Sequence, residues 1–546
     1  MPHGCNENAS GQCSEAEGIG TVASGAGSHA EGCGTEASGR CSHAEGNRTS
    51  ASGMGAHAEG IGGTARGLAA HAEGFNTVAS GDESHAEGKG TVASGLISHA
   101  EGLMTTATQL AAHAEGISTA ARGRAAHAEG ENTTASGAAS HTEGNGTVAS
   151  GAASHTEGNG TVASGAASHA EGNGTVASGA ASHAEGNGTV ASGAASHAEG
   201  LLTEASGIAS HAEGNDTVAS GEGSHAEGIL TNASTSGAHA EGSLTNAIGL
   251  SAHAEGALTF AAGLASHAEG AITFAIGEAS HAQGIRTMAT GRYSHTEGAD
   301  TSASTLEGVH VMGRNGAPNV AAGDLPYSWY LVNGAVPYDT AGVVAKILNN
   351  GSACFDSSIT ASAFNIAAGA CDFAEMFETA DGQPIDVGYF VTFDTEGETI
   401  RKATSKDDYI LGVTSSNPAI LADVVDPGCS KFVFDEWSRI QYHEVVIPAV
   451  TDPAGKIIVP ERTEQRPKIN PYWDPDQKCN TRKELPNWVA VGLIGKLLLH
   501  DDGTCRAGGY CKPNDDGIAT VSPTGYRVMK RTGNNQIMIL FNGNRV

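Results

Sequence analysis

Residues 168–181 read S-H-A-E-G-N-G-T-V-A-S-G-A-A, and this unit of 14 residues recurs through the first half of the chain. Its histidine returns every 14 residues, twenty times from His29 to His295, without an insertion or a deletion. Glu15 lies one period before His29, so the register reaches back to Ser14. A fixed short period of this kind is typical of a solenoid, in which each repeat forms one stacked turn.

The length and composition of the unit indicate strands. Fourteen residues are too few for a two-helix repeat, and the Gly and Ser-Gly positions disfavour helix. Two five-residue strands, S-H-A-E-G and T-x-A-S-G, joined by two-residue turns account for every position. Each repeat then forms one rung of a parallel β-roll, and at a spacing of about 4.8 Å twenty rungs give a rod of roughly 100 Å. The sequence predicts a mainly β chain with this solenoid over residues 14–304.

Alternation along the strands decides which side chains fill the roll. Ser, Ala, Gly and Thr fit its narrow interior, and His and Glu point outward because twenty buried charges would cost too much free energy. The Glu column has a single replacement, Gln283, whereas the turn positions vary freely. We therefore expect the His–Glu face, called the ladder below, to line a subunit interface. Central members of the ladder are His169, Glu171, His183, Glu185, His197 and Glu199.

Two other interpretations of the ladder stay open. It is either a solvated column of charges kept uniform by recent duplication, or a stack of His-based metal sites. Because Glu is already a natural partner for His, we expect no metal. If each His pairs with a Glu of a neighbouring subunit, the His pKa is raised, and we expect low pH to leave the rod intact until Glu also protonates.

A narrow roll buries little apolar area per rung, so one copy alone is marginally stable, and several copies around one axis are favoured. The unit resembles the head repeat of trimeric autotransporter adhesins, whose pattern is S-V-A-I-G-x-x-S. This resemblance covers about Ser14 to Ser304 and implies a left-handed β-roll and a homotrimer. His and Glu stand where that family has two large apolar residues, so the implied interface is polar.

Composition separates the two halves of the chain and excludes several classes of function. Only four of the 26 aromatic residues and one of the 16 prolines precede Ser304. The formal charge of −31 repels phosphate backbones, so we expect no nucleic-acid partner. No run of about 18 apolar residues occurs, and the N-terminus lacks the basic and apolar regions of a secretory signal. We therefore expect no membrane span and no signal peptide.

The domain prediction follows from these patterns. Residues 1–13 form a cysteine-containing N-terminal tip, and residues 14–304 form the shaft of repeats. Residues 305–350, in which the repeat decays, form a neck or connector. Short alternating strands between turns then predict a β-rich C-terminal domain over residues 351–546.

Three carboxylates in the stretch C-D-F-A-E-M-F-E, Asp372, Glu375 and Glu378, form the candidate catalytic cluster. Like charges this close repel each other, so one carboxyl group holds its proton more tightly than usual. A proton-sharing acid pair can activate water or a hydroxyl and protonate a leaving amine. The same spacing also fits the solvated face of a helical turn, with Phe373 and Phe377 packing inward.

The stretch A-F-N-I-A-A-G-A-C-D-F-A-E-M-F-E resembles the A-D-Y-A-E-x-F-E signature of self-cleaving chaperone domains at the C-termini of phage neck-appendage and tail-fibre proteins. The later blocks G-Y-F-V-T-F-D, D-Y-I-L-G-V-T-S-S-N-P and G-Y-R-V-M fit that family in order. The resemblance covers roughly residues 350–546. It implies an intramolecular chaperone that trimerises, sets the register of the upstream fibre, and releases itself by glutamic-type autoproteolysis.

Carried over residue by residue, the resemblance makes Asp372 and Glu375 the catalytic carboxylates and Glu378 a third candidate. It places the cleaved bond between residues 361 and 366, with Ser362 and Asn365 as candidates. Cys371 departs from the family pattern because it separates Ala370 from Asp372, and one inserted residue shifts the carboxylates relative to the bond.

Four cysteines mark the N-terminal end of the repeats. Cys5 and Cys33 lie 28 residues apart, as do Cys13 and Cys41, so each pair occupies one column two rungs apart. Two rungs span about 10 Å, too far for a disulfide within a column. These cysteines either crosslink the tip of the rod to a carrier or are free thiols.

Taken together, the sequence predicts a homotrimeric extracellular fibre with a structural and adhesive role, on a virion or on a bacterial or spore surface. Its partners are further copies of itself, a carrier structure at one end and a surface receptor or glycan, and no cofactor is expected. One alternative is an autoproteolytic enzyme of single turnover that releases its C-terminal domain. Another is a receptor-binding tip domain that stays on the fibre.

Overall fold

The computed structural model describes residues 6–356, 372–395, 397–425, 430–447, 449–451, 457–459, 461–473 and 481–543. The chain forms two compact units, Met1–Val320 with Asp324–Asp356, and Ala321–Gly323 with Ser357–Val546. The first unit contains all the repeats, and the second contains the carboxylate cluster.

Each repeat forms one rung of a parallel β-solenoid, which confirms the predicted mainly β fold class. Equivalent residues of successive rungs pair in register, as His183 does with His197 and Val190 with Glu204. The shaft therefore consists of two parallel sheets.

The first sheet contains the strands that begin at the ladder histidine or its equivalent. They are Glu15–Ile19, His29–Cys33, His43–Asn47, His57–Ala58, His71–Phe75, His85–Lys89, His99–Ala100, His113–Ala114, His127–Ala128, His141–Thr142, His155–Thr156, His169–Ala170, His183–Asn187, His197–Leu201, His211–Asn215, His225–Ile229, His239–Ser243, His253–Ala257, His267–Ala271, His281–Ile285 and His295–Thr301.

The second sheet contains strands of two residues that end at the inward alanine. They are Asn8–Ala9, Val22–Ala23, Glu36–Ala37, Ser50–Ala51, Thr64–Ala65, Val78–Ala79, Val92–Ala93, Thr106–Ala107, Ala120–Ala121, Thr134–Ala135, Val148–Ala149, Val162–Ala163, Val176–Ala177, Val190–Ala191, Glu204–Ala205, Val218–Ala219, Asn232–Ala233, Asn246–Ala247, Phe260–Ala261, Phe274–Ala275 and Met288–Ala289.

The interior of the shaft consists of columns of small residues, as alternation predicts. In the rung that begins at Ser168, the side chains of Ser168, Ala170, Thr175 and Ala177 are buried. Some of the buried hydroxyls bond to nearby backbone carbonyls: Ser168 Oγ donates to the Gly165 carbonyl at 2.7 Å, and Thr175 Oγ1 donates to the Glu171 carbonyl at 3.1 Å. Strands of the second sheet have two residues rather than the predicted five, those of the first sheet have two, five or seven, and Gly172, which ends the predicted first strand, is exposed rather than inside.

Stacking of rungs extends past both ends of residues 14–304. Asn8 already pairs with Val22, and beyond His295 the strands His310–Gly316 and Trp329–Asn333 add two further parallel rungs. The strands Val343–Ile347 and Ala353–Phe355 then continue the sheet in antiparallel fashion, after a short 3-10 helix, Thr340–Gly342. Larger side chains, Val311, Tyr330 and Val332 among them, close the small-residue core at this end.

The second unit is built on the long strand Trp488–His500. It pairs antiparallel with Asp372–Glu378, Gly412–Thr414 and Gln536–Asn542. The further strands of this sheet are Phe390–Phe393, Ile400–Lys402, Ile420–Ala422, Tyr510–Pro513, Ala519–Ser522 and Tyr526–Gly533. Two smaller pairs, Tyr442–Ile447 with Arg462–Pro467 and Val450–Thr451 with Ile457–Val459, and the 3-10 helix Arg482–Glu484 lie outside this sheet. Phe390, Leu499 and Phe541 are central to its core.

Within the described ranges, no helix has the length and apolarity that crossing a membrane would require.

Close contact between rungs predicts a position-specific effect of replacing glycine. A Cβ atom on Gly179 would lie 1.9 Å from the Gly193 carbonyl oxygen, whereas a Cβ on Gly174 would have no atom within 4 Å. We expect Gly179→Ala to separate the rungs locally and to destabilise the shaft by more than about 3 kcal/mol. The measurement is amide hydrogen exchange of rungs 154–195 together with thermal unfolding.

Gly174→Ala is the matched control. Gly174 has φ of 63°, but Ala181 in the next turn adopts a similar φ of 55°, so this substitution should cost only about 1 kcal/mol. Equal destabilisation by both substitutions would show that contact with the carbonyl of the next rung is not the reason why the position of Gly179 requires glycine.

Candidate functional site

The ladder is a continuous stack of imidazole rings on one face of the shaft. Adjacent rings of His169, His183 and His197 lie 4.8 Å apart between centroids, with planes inclined by 9° and 13°. This arrangement follows from the parallel strands and their 14-residue register, because each His occupies the same position in its rung as the His below it and can adopt the same rotamer. The side chains of His169 and Glu171 are 35% and 32% exposed, so the face is half-buried in a single chain.

Within one chain, each His lies beside a Glu but seldom bonds to it. His169 Nε2 is 3.8 Å from a Glu171 oxygen, and His197 Nε2 is 3.7 Å from a Glu199 oxygen, which is too long for a hydrogen bond. The closest approach is 3.2 Å, between His71 Nε2 and Glu59. Most ladder Nε2 atoms are enclosed and have no hydrogen-bond partner among the described residues. The structure thus brings the predicted ladder residues together in columns within one chain, and the pairing of each His with a Glu of a neighbouring subunit remains a prediction.

Burial and mutual repulsion control the protonation of the ladder histidines. Burial lowers the pKa of His169 below its ordinary value of 6.5, and the stacked His155 and His183 lower it further. His197 is affected in the same way, and burial lowers the pKa of His295 to about 4. Within one chain, desolvation and the stacked imidazoles outweigh the attraction of the Glu column, and the raised His pKa expected from pairing with a Glu of a neighbouring subunit remains a prediction.

Carboxyl groups also interact with one another along the Glu column of the ladder. Hydrogen bonding to Glu157 and Glu185 raises the pKa of Glu171 to about 7. The pKa of Glu185 is lowered by hydrogen bonding to Glu199 and Glu171. From Glu129 to Glu227 the carboxyl pKa is thus raised and lowered in alternate rungs, as expected for coupled groups that share protons.

The ladder also presents donor sets of a kind that binds transition metals. His169, Glu171 and His183 offer one ligand atom each, all within 4.8 Å of one another, and comparable triads recur along the shaft. Imidazole with carboxylate suits zinc, copper or nickel. The expectation of no metal remains a prediction.

The carboxylate cluster lies on the strand Asp372–Glu378, not on a helical turn. Exposure alternates along it: Asp372, Ala374 and Met376 are buried, whereas Phe373 and Glu375 are partly exposed. Because successive side chains of a strand point to opposite faces, Asp372 and Glu375 lie on opposite faces of the sheet. The structure therefore does not bring these two carboxylates together as a pair within this strand.

Asp372 has the most unusual environment of the three carboxylates. Its side chain is 6% exposed, and its Oδ2 atom is enclosed with no hydrogen-bond partner among the described residues. It lines a cavity of about 200 Å³ together with Thr414, Ser415, Lys496 and His500. A buried carboxylate without a bonding partner is costly, and such groups cluster at functional sites.

The other two carboxylates differ from Asp372. Glu378 accepts a hydrogen bond from Asn487 Nδ2 at 2.8 Å, which gives it a structural contact. Glu375 is opposite Val491 and beside Ala422, at a half-exposed position. Lys496 and His500, which line the Asp372 cavity, were missed by sequence reasoning. Their spacing of four residues places them on one face of a strand, but only the pairing of Asp372 with Gly495 brings that strand to the cluster.

Several predicted residues lie outside the described residues: Ser362 and Asn365 of the cleavage window, Cys371, and Cys5. Of the remaining N-terminal cysteines, Cys13, Cys33 and Cys41 are exposed free thiols. Their role as crosslinks remains a prediction.

The lowered His pKa values predict how the shaft responds to pH. In the folded shaft these imidazoles bind protons more weakly than in the unfolded chain, so their contribution to stability is complete above about pH 6.5 and is lost as pH falls toward 4. The raised pKa of Glu171 acts in the opposite direction, since that contribution is lost as pH rises through about 7. We expect the histidine effect to dominate because burial affects ladder histidines from His57 to His295.

The measurement is the imidazole titration of the full chain by NMR, with thermal unfolding followed over the same pH range. A solvated peptide of one repeat is the control, with a midpoint near 6.5. Ladder midpoints above that of the peptide would contradict the prediction and favour ion-paired histidines.

Comparison with known proteins adds to this geometry. Residues 336–536 match the family described as Peptidase_G2, IMC autoproteolytic cleavage domain. The chain is 33% identical over 154 residues to the pre-neck appendage protein of Bacillus phage B103, which covers 28% of this chain and 16% of that protein. It is 35% identical over 138 residues to the preneck appendage protein of Bacillus phage PZA, which covers 25% of this chain and 14% of that one.

Among solved structures, the C-terminal fragment of bacteriophage phi29 gene product 12 aligns with a TM-score of 0.26 and 28% identity, over 31% of this chain and all of that one. The chain spans less than a fifth of the length of the two curated relatives. The resemblance inferred from the stretch C-D-F-A-E-M-F-E is confirmed. Residues 336–536 match an intramolecular-chaperone autoproteolytic cleavage domain of the Peptidase_G2 family, and the chain is homologous to the pre-neck appendage proteins of Bacillus phages.

Proposed function

We propose that this chain is the subunit of a homotrimeric phage appendage, with a structural and adhesive role, and that its C-terminal domain directs assembly and register. The observation that carries the proposal is the combination of twenty equivalent rungs with a C-terminal match to an intramolecular-chaperone domain. The homology to pre-neck appendage proteins supports a location on the virion. A bacterial or spore surface is the alternative location.

The need for a register-setting domain follows from the repeat itself. Each rung presents the same His, Glu, Ala and Thr columns, so chains that meet along their shafts can pair out of step by any multiple of 14 residues. Pairings shifted by one rung lose only one rung of contact. A domain that trimerises first holds the chains level, and pairing of the shafts then proceeds from that end.

The ladder is the proposed contact surface between subunits. It is half-exposed in one chain, most of its Nε2 atoms lack hydrogen-bond partners among the described residues, and the carboxyl pKa is raised at Glu171 and lowered at Glu185. Covering it with other copies would exclude water from a polar column that a single chain leaves partly solvated. If the ladder is instead a solvated column of charges, which is the alternative that the sequence leaves open, a single chain should form a stable shaft.

Charge reversal in the ladder tests this surface. We expect Glu171→Lys, which places a cation among stacked imidazoles and removes a proton-sharing carboxyl group, to reduce the trimer fraction at micromolar concentration by at least about tenfold. The measurement is sedimentation velocity of the full chain.

Asn173→Lys adds the same side chain two residues away at an exposed turn position and is the control, with assembly unchanged. Wild-type protein that sediments as a monomer, or equal behaviour of the two variants, would contradict the proposed interface.

Autoproteolysis is the second proposed function, favoured by the buried Asp372 Oδ2, which has no hydrogen-bond partner within the described part of the chain and lines a cavity. In this proposal Asp372 and Glu375 act as catalytic carboxylates in a single turnover, Glu378 supports them, and the cleaved bond lies between residues 361 and 366. Asp372 acts from its enclosed position in the cavity, and Glu375 acts from the partly exposed face of the strand. The opposite orientation of their side chains requires that the cleaved segment, or a neighbouring subunit, complete the site.

The mass of the purified chain under denaturing and reducing conditions tests cleavage. We expect the wild type to give two fragments divided between residues 361 and 366, and Asp372→Asn and Glu375→Ala to lower the cleavage rate at least about 100-fold, since each removes a proton-transfer group.

Asp516→Asn, at an exposed acid of the same domain, is the control and should cleave like the wild type. A single 546-residue chain in all variants would contradict the proposal. It would instead support a C-terminal domain retained as a tip that contacts a surface receptor or glycan, while the other end of the fibre joins a carrier.

A further inference from the structure

Two buried thiols that the functions above do not use lie together in the C-terminal unit. Cys505 and Cys511 are 1% and 0% exposed and belong to the same hydrophobic core as Leu499 and Phe541. The other described cysteines, Cys13, Cys33, Cys41 and Cys354, are exposed. Among these, only Cys505 and Cys511 share a core.

Backbone pairing fixes the approach of the two residues. Cys511 lies in the strand Tyr510–Pro513 and is paired with Val521 of the neighbouring strand. The Val521 N–H in turn donates to Thr504 Oγ1 at 2.9 Å, which holds the residue before Cys505 against the same strand. The segment that carries Cys505 and the strand that carries Cys511 are thus both attached to Val521.

An ion pair fixes the segment around Cys505. Its N–H donates to Asp501 Oδ1 at 3.2 Å, and Arg531 Nη1 donates to both the Cys505 carbonyl and Asp501 Oδ2 at 2.6 Å. The Asp501 side chain is fully buried. Because the backbone is held on both sides, the thiols keep their mutual position without a covalent bond.

We propose that Cys505 and Cys511 form a disulfide within the C-terminal unit when the protein meets an oxidising environment. Oxidised glutathione, a small disulfide, serves as the oxidant: its S–S bond breaks and it accepts the two electrons and two protons that the thiols lose. The products are one protein S–S bond and two reduced glutathione thiols. The bond closes the segment Cys505–Cys511 and links the end of the long strand to the C-terminal hairpins.

The reduced pair is slow to react while the domain is closed. Contact with the Cys511 thiol, burial and the Asp501 carboxylate raise the pKa of Cys505, which keeps its thiol protonated at neutral pH. Exchange therefore proceeds through local opening, and urea below the unfolding transition accelerates it.

Peptide mapping tests the proposal directly because Arg506 lies between the two cysteines. Two samples of the full chain, one initially reduced and one initially oxidised, are equilibrated with the same mixture of oxidised and reduced glutathione. Both are then alkylated under denaturing conditions and digested with trypsin. We expect residues 497–506 and 507–527 to be recovered as one linked pair with two hydrogen atoms fewer than the separate peptides. The pair should disappear in Cys505→Ala and in Cys511→Ala, and persist in Cys354→Ser.

Thermal unfolding supplies a second readout. We expect reductant to lower the unfolding midpoint of the oxidised wild-type C-terminal transition by about 5 °C and to leave Cys511→Ala unchanged. The proposal would be overturned if both cysteines were completely alkylated in both samples, the initially reduced and the initially oxidised one. Linkage of either cysteine to a different cysteine would also overturn it.

Discussion

The close stacking of identical rungs is the constraint on which the shaft depends. At Gly179 the backbone of the next rung comes so near that a single Cβ atom would meet the Gly193 carbonyl. Such proximity allows only Ser, Ala, Thr and Gly inside the roll, which leaves the shaft almost without large apolar side chains in its core. Regular hydrogen bonding between rungs, rather than apolar burial, therefore holds the turns together.

Strict stacking also determines the electrostatics of the surface. Once one His is placed, every further His stands about 4.8 Å from the last, so twenty imidazoles share one column beside a column of carboxylates. Burial and the neighbouring imidazoles then outweigh the attraction between His and Glu, and hydrogen bonding between carboxyl groups acts along the Glu column. The histidines lose proton affinity, and alternate carboxyl groups gain it. A polar face with this charge pattern is suited to contact a second polar face of the same repeat.

The C-terminal unit supplies what a uniform shaft lacks. Its sheet joins strands that are distant in sequence, from Asp372 to Asn542, around an ordinary core of large side chains. Those long-range pairings have one register, in contrast to the many equivalent registers of the repeat. The same pairings enclose Asp372 beside Lys496 and His500, so the unit proposed to set the register also contains the unusual carboxylate.

The sequence by itself determined the solenoid, because a 14-residue period with Gly and Ala at fixed positions leaves few other ways to bury its small residues. It also determined the inward columns and the ladder, since strand alternation depends only on local geometry. The ends of the stack, the two-residue strands of the second sheet, the lowered His pKa values and the opposite faces of Asp372 and Glu375 followed only from the tertiary structure. Each of these depends on which segment of the chain packs against the residue concerned, as Gly495 packs against Asp372 and Cys511 lies near Cys505. Contacts between residues distant in sequence cannot be read from the local spacing of residue types.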